Sequence, residues 1–371
     1  MGRTVVRAQA WRRWSAVLGL VAVLCAVPVA IARWPVPAVD VAAAGLRDRI
    51  AASADRAYHG FAQTSGLLPL PSLPNLRQLT DLLSTTTDLR VWYAARDRWR
   101  VDVLDGSTER DLYQVPGSQW LWDYGDSRLT HIMGEQPVRL PAAADLTPPA
   151  LTRWILGLAG TERLEPTAAR RVAGIVTAGL RIVPATADTT VDHIDVWADP
   201  ATGVPVQAEV TARGGTRPVF VTRFLELHLD SPDPAVLRPP APHGGIDVQM
   251  TRVPDVLGAI NRRFSGELPD TLAGAARRTA VAGTSAVAVY GTGLTQFVVV
   301  ALPGRFGAQA YDRIETFGSK LDVPAGFGAA LLPTGLVTVL AFQADRTYLV
   351  AGLVRPALLE RVADDLVGGF L

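Results

Sequence analysis

Between Asp88 and Ile132 apolar and polar residues alternate in short runs, and a turn signal closes each run. Leu89, Val91 and Tyr93 share one face of the first run. Trp99, Val101 and Val103 share a face of the next, and Trp120, Trp122 and Tyr124 a face of another. The breaks fall at Ala-Arg-Asp, Asp-Gly-Ser, Pro-Gly-Ser and Gly-Asp-Ser. Side chains alternate across a strand with a period of two. The pattern therefore predicts an antiparallel meander with one apolar face, and that face needs a cover.

Similar runs flank the meander. Residues 57–64 read as a strand before it, and residues 163–173, 175–184, 191–198, 204–212 and 219–229 as five strands after it. Asp199-Pro-Ala-Thr-Gly203 and Arg213-Gly-Gly-Thr-Arg217 supply hairpin turns among the five. Two segments carry the helical period instead. In residues 41–56, Val41, Leu46 and Ile50 form a narrow stripe, with Asp40 placed to cap. In residues 147–160, Thr147 is placed to cap and Pro148 suits the first turn. Leu151, Trp154, Ile155 and Leu158 line one side.

Two stretches break the pattern. Residues 66–76, GLLPLPSLPNL, hold three prolines and five leucines. Proline excludes regular helix or a central strand there, so the stretch is either a loop packed on a core or a lid at an apolar mouth. Residues 231–245 hold five prolines and read as a linker. Beyond it, residues 254–264, 308–318 and 356–366 look helical. Residues 286–290, 295–302, 336–342 and 347–353 look like strands. The layout predicted is 1–33, an N-terminal segment; 41–230, a mainly β domain; 231–245, a linker; and 246–371, a small α+β domain.

The first 33 residues set the address. Arg3, Arg7, Arg12 and Arg13 precede an apolar run, residues 14–32, and no acidic residue occurs before Asp40. The run is long enough to span a bilayer, with the N-terminus in the cytoplasm and the bulk of the chain extracytoplasmic. Alternatively, Ala30-Ile31-Ala32 suits cleavage of a signal peptide, which leaves a secreted protein. Both readings export the chain. The remainder holds 31 basic residues against 35 acidic ones, which excludes a broad basic footprint for nucleic acid. The lone cysteine, Cys25, lies inside the apolar run, so the exported part relies on packing rather than disulfides.

Candidate chemistry is sparse. His59, His131, His193, His228 and His243 show no metal-ligand spacing. Ser285 in GTSAV lacks the second glycine of a nucleophile elbow. Gly291-Thr-Gly293 lies between strands and reads as a turn rather than a phosphate loop. The sequence therefore points to no enzyme, no metal and no cofactor.

The order of elements over 41–230 resembles the LolA-like family of exported lipid- and lipoprotein-binding proteins. The matching segments are YHGFAQT at 58–64, LRVWYAARDRWRVDV at 89–103, QWLWDY at 119–124 and VWADPATGVPVQAEV at 196–210. That resemblance implies an open half-barrel with helices across its concave face. The second half, through LPDTL at 268–272, AVYGTGLTQFVVV at 288–300 and TYLVAGLVRP at 347–356, resembles the MucB/RseB family. There a LolA-like domain precedes a smaller one, and the family senses envelope lipids and binds the outer part of a membrane anti-sigma factor. The start departs from that family if it stays as an anchor, and residues 303–334 carry no matching segment.

Six tryptophans, Trp92, Trp99, Trp120, Trp122, Trp154 and Trp197, either fill the core or wall a cavity. On the cavity reading the expected lining is Phe61, Leu68, Val91, Val101, Trp120, Trp122, Trp154 and Leu158. The expected function is reversible burial of an acyl chain, lipid or acylated lipoprotein, gated by residues 66–76 and the 147–159 helix. The alternative is a regulator that binds a membrane anti-sigma factor.

Overall fold

A computed structural model describes residues 11, 13–24, 26, 35–68, 82–106, 108–134, 142–160, 162–241, 246–252, 262, 264, 266–278 and 285–370. The chain divides into two units, Met1–Ala38 and Val39–Leu371. In the first unit residues 13–24 are helical. No helix among the described residues is long and apolar enough to cross a membrane. Residues 25 and 27–32 of the expected 14–32 span lie outside the described residues. So do residues 69–76 of the proline-rich loop and most of the helix expected over 254–264.

The second unit is built on two sheets. The larger begins with β1 (Tyr58–Gly66), β2 (Thr86–Ala95), β3 (Arg98–Asp105), β4 (Thr108–Val115), β5 (Ser118–Asp123) and β6 (Arg128–Met133). It continues with β7 (Arg163–Val172), β8 (Ile175–Val183), β9 (Val191–Ala198), β10 (Pro205–Ala212), β11 (Pro218–His228) and β12 (Asp247–Arg252). The spatial order is β12-β6-β5-β4-β3-β2-β1-β11-β10-β9-β8-β7. Two meanders thus meet in the middle, where β1 pairs antiparallel with β11. β7 and β12 are unjoined edges, so the sheet stays open rather than closing into a barrel. Its five meander strands and five later strands match the sequence expectation closely.

β12 is the exception. It lies past the proline-rich stretch, yet it pairs parallel with β6, Asp247 opposite Arg128. By hydrogen bonding residues 247–252 belong to the large sheet, whereas the sequence reading began the second domain at 246. Residues 247–251 are exposed, and a short strand that buries neither face carries no signal for which edge it will join.

Two helices lie on one face of the large sheet, α1 (Ala43–Ala52) and α2 (Pro148–Leu158). Thr147 holds the cap position read from sequence but makes no side-chain bond to α2, and Asp40 does not cap α1. The cap position of α1 is Ala42 rather than Asp40. Thr147 precedes α2, but its hydroxyl donates to the Ala144 carbonyl at 3.0 Å instead of accepting from the helix. Proline at the first turn of α2 needs no backbone acceptor, which relieves part of that loss. The end of α1 packs on the 199–203 turn. There Gly203 adopts φ +75°, and a Cβ on it would run into the Arg49 carbonyl, so glycine is required twice over.

The smaller sheet holds β13 (Thr271–Leu272), β14 (Ala275–Arg278), β15 (Val287–Tyr290), β16 (Phe297–Leu302), β17 (Ser319–Lys320), β18 (Gly328–Pro333), β19 (Thr338–Gln343) and β20 (Thr347–Gly352). Their order is β13-β14-β15-β16-β20-β19-β18-β17. Helix α4 (Pro356–Phe370) seals one face: Leu358, Leu359, Val362 and Leu366 pack with Val299, Leu340, Phe342 and Val350. Helix α3 (Gly304–Phe317) covers the other through Tyr311 and Ile314 against Ala330, Val339 and Ala341. Strands β17 and β18 occupy the region for which the sequence offered no matching segment.

The two sheets are joined by backbone. Thr190 N–H donates to the Leu353 carbonyl at 3.0 Å and Arg355 N–H to the Asp188 carbonyl at 2.8 Å. The Glu162 carboxylate accepts from Leu294 N–H at 2.9 Å and also from Ala185 N–H. Leu294, Leu336 and Leu353 lie in or against the same apolar cluster as α1 and α2.

Candidate binding site

Strand registers sort the side chains of the large sheet into two faces, because directly paired residues point the same way. Ala62 pairs with Leu89, Leu89 with Val103, Val91 with Val101, Val101 with Leu112 and Leu112 with Leu121. On the other side of the seam, Ala62 pairs with Phe224, Thr222 with Ala208, Ala208 with Val196 and Val196 with Leu180. These residues face α1 and α2 and form the inner face. The outer face carries Arg100, Tyr113 and Trp120 in one row and Asp102, Asp111, Trp122 and Leu129 in the next.

The inner face is mostly apolar from β8 to β3, with a row of buried threonines, Thr87, Thr64 and Thr222, crossing it at the seam. Under the helices, Leu46 and Ile50 of α1 and Leu151 and Ile155 of α2 pack with Leu180, Ile182, Ile194, Val196, Val210 and Phe220. Further along, Tyr58, Ala62, Leu89, Val91, Val101 and Phe224 form a second cluster. Full burial of one such aliphatic side chain stabilises by roughly 1.5–3 kcal/mol, so this face holds much of the fold together. The rim of α2 is different: Trp154 is 57% exposed.

One charge enters this apolar region. Tyr58 and Tyr93 stack at 5.0 Å with planes 9° apart, and the Arg153 guanidinium of α2 lies 5.8 Å from the Tyr93 ring centroid. Tyr93 donates to the Ala54 carbonyl at 2.7 Å. Burial pushes the Tyr58 phenol up, and the nearby Arg153 pulls against that shift. Arg153 Nη1 is sealed from solvent and has no hydrogen-bond partner.

The outer face is organised by charge. Arg100 binds Asp102 through two hydrogen bonds, 2.5 and 2.8 Å, and Asp111 through a third of 2.8 Å. Both aspartates are fully buried, and Glu109 lies 3.9 Å from the same guanidinium. Burial, and then the neighbouring Asp102, push the Asp111 carboxyl up to about 7. Burial also raises Asp102, against the pull of Arg100. Asp102, Glu109 and Asp111 lie close enough to ligate a cation, and the cation among them is Arg100. The proline-rich stretch runs over this place: Val236 offers its carbonyl to Arg100 and Leu237 is buried.

The structure divides the eight residues read from sequence as one lining. Leu68, Val91 and Val101 are buried in the inner clusters. Leu158 is half-buried at the end of α2, and Trp154 on the same helix points to solvent. Phe61 pairs with Arg90 and Glu226 and belongs to the outer face. Trp120 and Trp122 are also outer: Trp120 stacks on His131 at 4.1 Å, and Trp122 packs with Tyr113 and Leu129. Sequence reading missed Arg153, whose signal was a cation next to the apolar stripe of α2. It also missed the Arg100 cluster, where Asp102 alternates with Val101 and Val103 on a strand that is buried on both faces.

No family model and no curated protein match this chain. Solved structures do. The chain is similar to MucB in complex with MucA(peri), at 20% identity and a TM-score of 0.49, covering 86% of this chain and 97% of that one. It is similar to the MucA/MucB complex of Pseudomonas aeruginosa, at 20% identity and a TM-score of 0.48, covering 86% and 96%. It is also similar to a LolA superfamily protein from Nitrosomonas europaea, at 12% identity and a TM-score of 0.24, covering 54% of this chain and 98% of that one.

Proposed function

We propose that this is an extracytoplasmic lipid- or lipoprotein-binding protein that buries apolar cargo between α2 and the inner face of the large sheet. The observation that carries the reading is the largely apolar inner face of a sheet that does not close on itself. Leu68, Val91, Val101 and Leu158 would line the cargo, and the exposed Trp154 marks the rim of the covering helix. Each buried methylene contributes about 0.8 kcal/mol, so part of one acyl chain gives useful affinity. Residues 14–32 would hold the protein at the membrane or direct its export.

Organic extraction of the purified full chain, followed by mass spectrometry, tests this. Bound lipid in stoichiometric amount is the expected result. A clean apo protein that takes up no added lysophospholipid or fatty acid ends the reading.

A second reading is a regulator that binds the outer part of a membrane anti-sigma factor. It is favoured by the cluster under α1 and α2, which includes Leu294 and Leu336 from the second half of the chain. Cargo that binds one arrangement of that cluster better than another would bias the smaller sheet. Partner affinity measured with and without lipid separates the two readings.

A further inference from the structure

We propose that Arg153 receives the anionic headgroup of the cargo, so that the ligand is a long-chain amphiphile carrying a phosphate or carboxylate. The proposal rests on the lipid-binding reading above and adds the chemical class of the ligand. Among the described residues, four buried polar side-chain atoms lack a partner: Asp111 Oδ1 and His131 Nε2 on the outer face, and Thr152 Oγ1 and Arg153 Nη1 on α2. Native proteins hold few such atoms, and each calls for an explanation, a ligand among them.

Arg153 Nη1 stands out among the four because it belongs to a cation: the side chain is half-buried, and the sealed nitrogen has given up hydration with no carboxylate to offset the loss. Arg100 shows what this chain does with a buried guanidinium elsewhere: it supplies two aspartates at hydrogen-bond distance. No carboxylate among the described residues forms an ion pair with Arg153. Asp55, which lies near Tyr93, is bound to Arg96.

What surrounds Arg153 suits an amphiphile rather than a free ion. Its guanidinium lies beside the Tyr58 and Tyr93 rings, which bury it on one side. Next along the same face stand Leu89, Val91 and Val101, which suit a chain and offer nothing to a bare anion. A guanidinium presents parallel N–H groups that match the oxygens of phosphate or carboxylate. The anion would take the unpartnered Nη1, and the chain would follow the apolar residues beneath α2.

Calorimetry on the full chain with three probes tests this: dodecyl phosphate, dodecanol and inorganic phosphate. Dodecyl phosphate should bind about tenfold or more tightly than dodecanol, the scale of one hydrogen bond to a charged group. Inorganic phosphate alone should bind far more weakly than either. Arg153→Gln should bring the ratio of the two dodecyl ligands close to one, and Arg153→Lys should preserve part of it. Equal binding of the two dodecyl ligands by the unaltered protein overturns the proposal and leaves the lipid reading standing. Binding of neither overturns both. Inorganic phosphate binding as tightly as dodecyl phosphate shows a free-anion site and overturns the headgroup assignment. The three-probe comparison needs no variant, so a folding defect in Arg153→Gln does not remove the test.

Discussion

Arg100 and Arg153 lie on opposite faces of one sheet, and they are served in opposite ways. Arg100 is surrounded by three carboxylates, two of them fully buried, with a chain segment laid over the top. Arg153 is surrounded by tyrosine rings and aliphatic chains and keeps a nitrogen unpaired. The outer face therefore has more negative charge than its arginine can satisfy, and the inner face has a positive charge with no counter-charge among the described residues. A charge that the fold answers reads as structure. A charge that the fold leaves open reads as a place for something else.

The contrast breaks first at Arg100. Arg100→Met strands Asp102 and Asp111 without their cation, and stability in urea at pH 7 should fall by about 3–5 kcal/mol. A loss below about 1 kcal/mol would show that the aspartates find other partners and that the two arginines are alike.

The second test is pH. Between the unfolded carboxyl pKa, about 3.9, and about 7, folded Asp111 keeps a proton that the unfolded chain has released. The native state then binds more protons, so this group's contribution is full below about pH 4. It falls as pH rises to about 7, by at most roughly 1.4 kcal/mol per pH unit. Asp111→Asn removes that slope. Unfolding free energies of the two proteins at pH 4.5, 6 and 7.5 should converge or cross, and parallel curves would rule out the raised carboxyl.

A third change addresses the junction of the two sheets. Glu162→Ala leaves Leu294 N–H and Ala185 N–H without their acceptor and should cost about 1–2 kcal/mol. Hydrogen exchange at Leu294 should speed up while exchange within β3 and β4 stays unchanged. Uniform acceleration would mean that the junction is not a separate unit.

The smallest effect is expected at Arg153. Arg153→Met replaces a half-buried cation, one nitrogen of which is sealed and unpaired, by an unbranched apolar chain. Apo stability should stay within about 1 kcal/mol of the parent and lean toward stabilisation. A loss as large as that of Arg100→Met would assign Arg153 to the fold and erase the contrast.

Alternation in the sequence located the strands well, because each strand records its own period. The face that each strand turns inward was less legible. Val115 pairs with Ser118 across Pro116-Gly117, so Leu112 lies opposite Leu121 and Tyr113 opposite Trp120. The two-residue turn was visible in the sequence, and it alone puts Trp120 and Trp122 on the face away from Leu112. The hairpin before it was not readable in this way. Ala95 pairs with Arg98, but a bulge then shifts the register so that Tyr93 meets Trp99 and Val91 meets Val101. One extra residue reverses every later side chain, and nothing in Ala94 or Ala95 announces it. Arg153 was hidden for a different reason. Whether a helical arginine is solvated or orphaned depends on packing partners far away in sequence, here Tyr58 and Tyr93.

The seam between β1 and β11 has a consequence for the order of events during synthesis. His59 stacks on His228 at 4.8 Å, although nearly all of the large sheet is made between them. The first meander can zip up hairpin by hairpin, but β1 keeps a bare edge until the last strand of the second meander arrives. Long-range pairing of this kind is slow, and an unpaired strand edge recruits other chains while it waits. The bulge between Phe61 and Ala62 gives the seam an irregular register. A strand from another molecule, offering a straight ladder, fits that edge less well than β11 does.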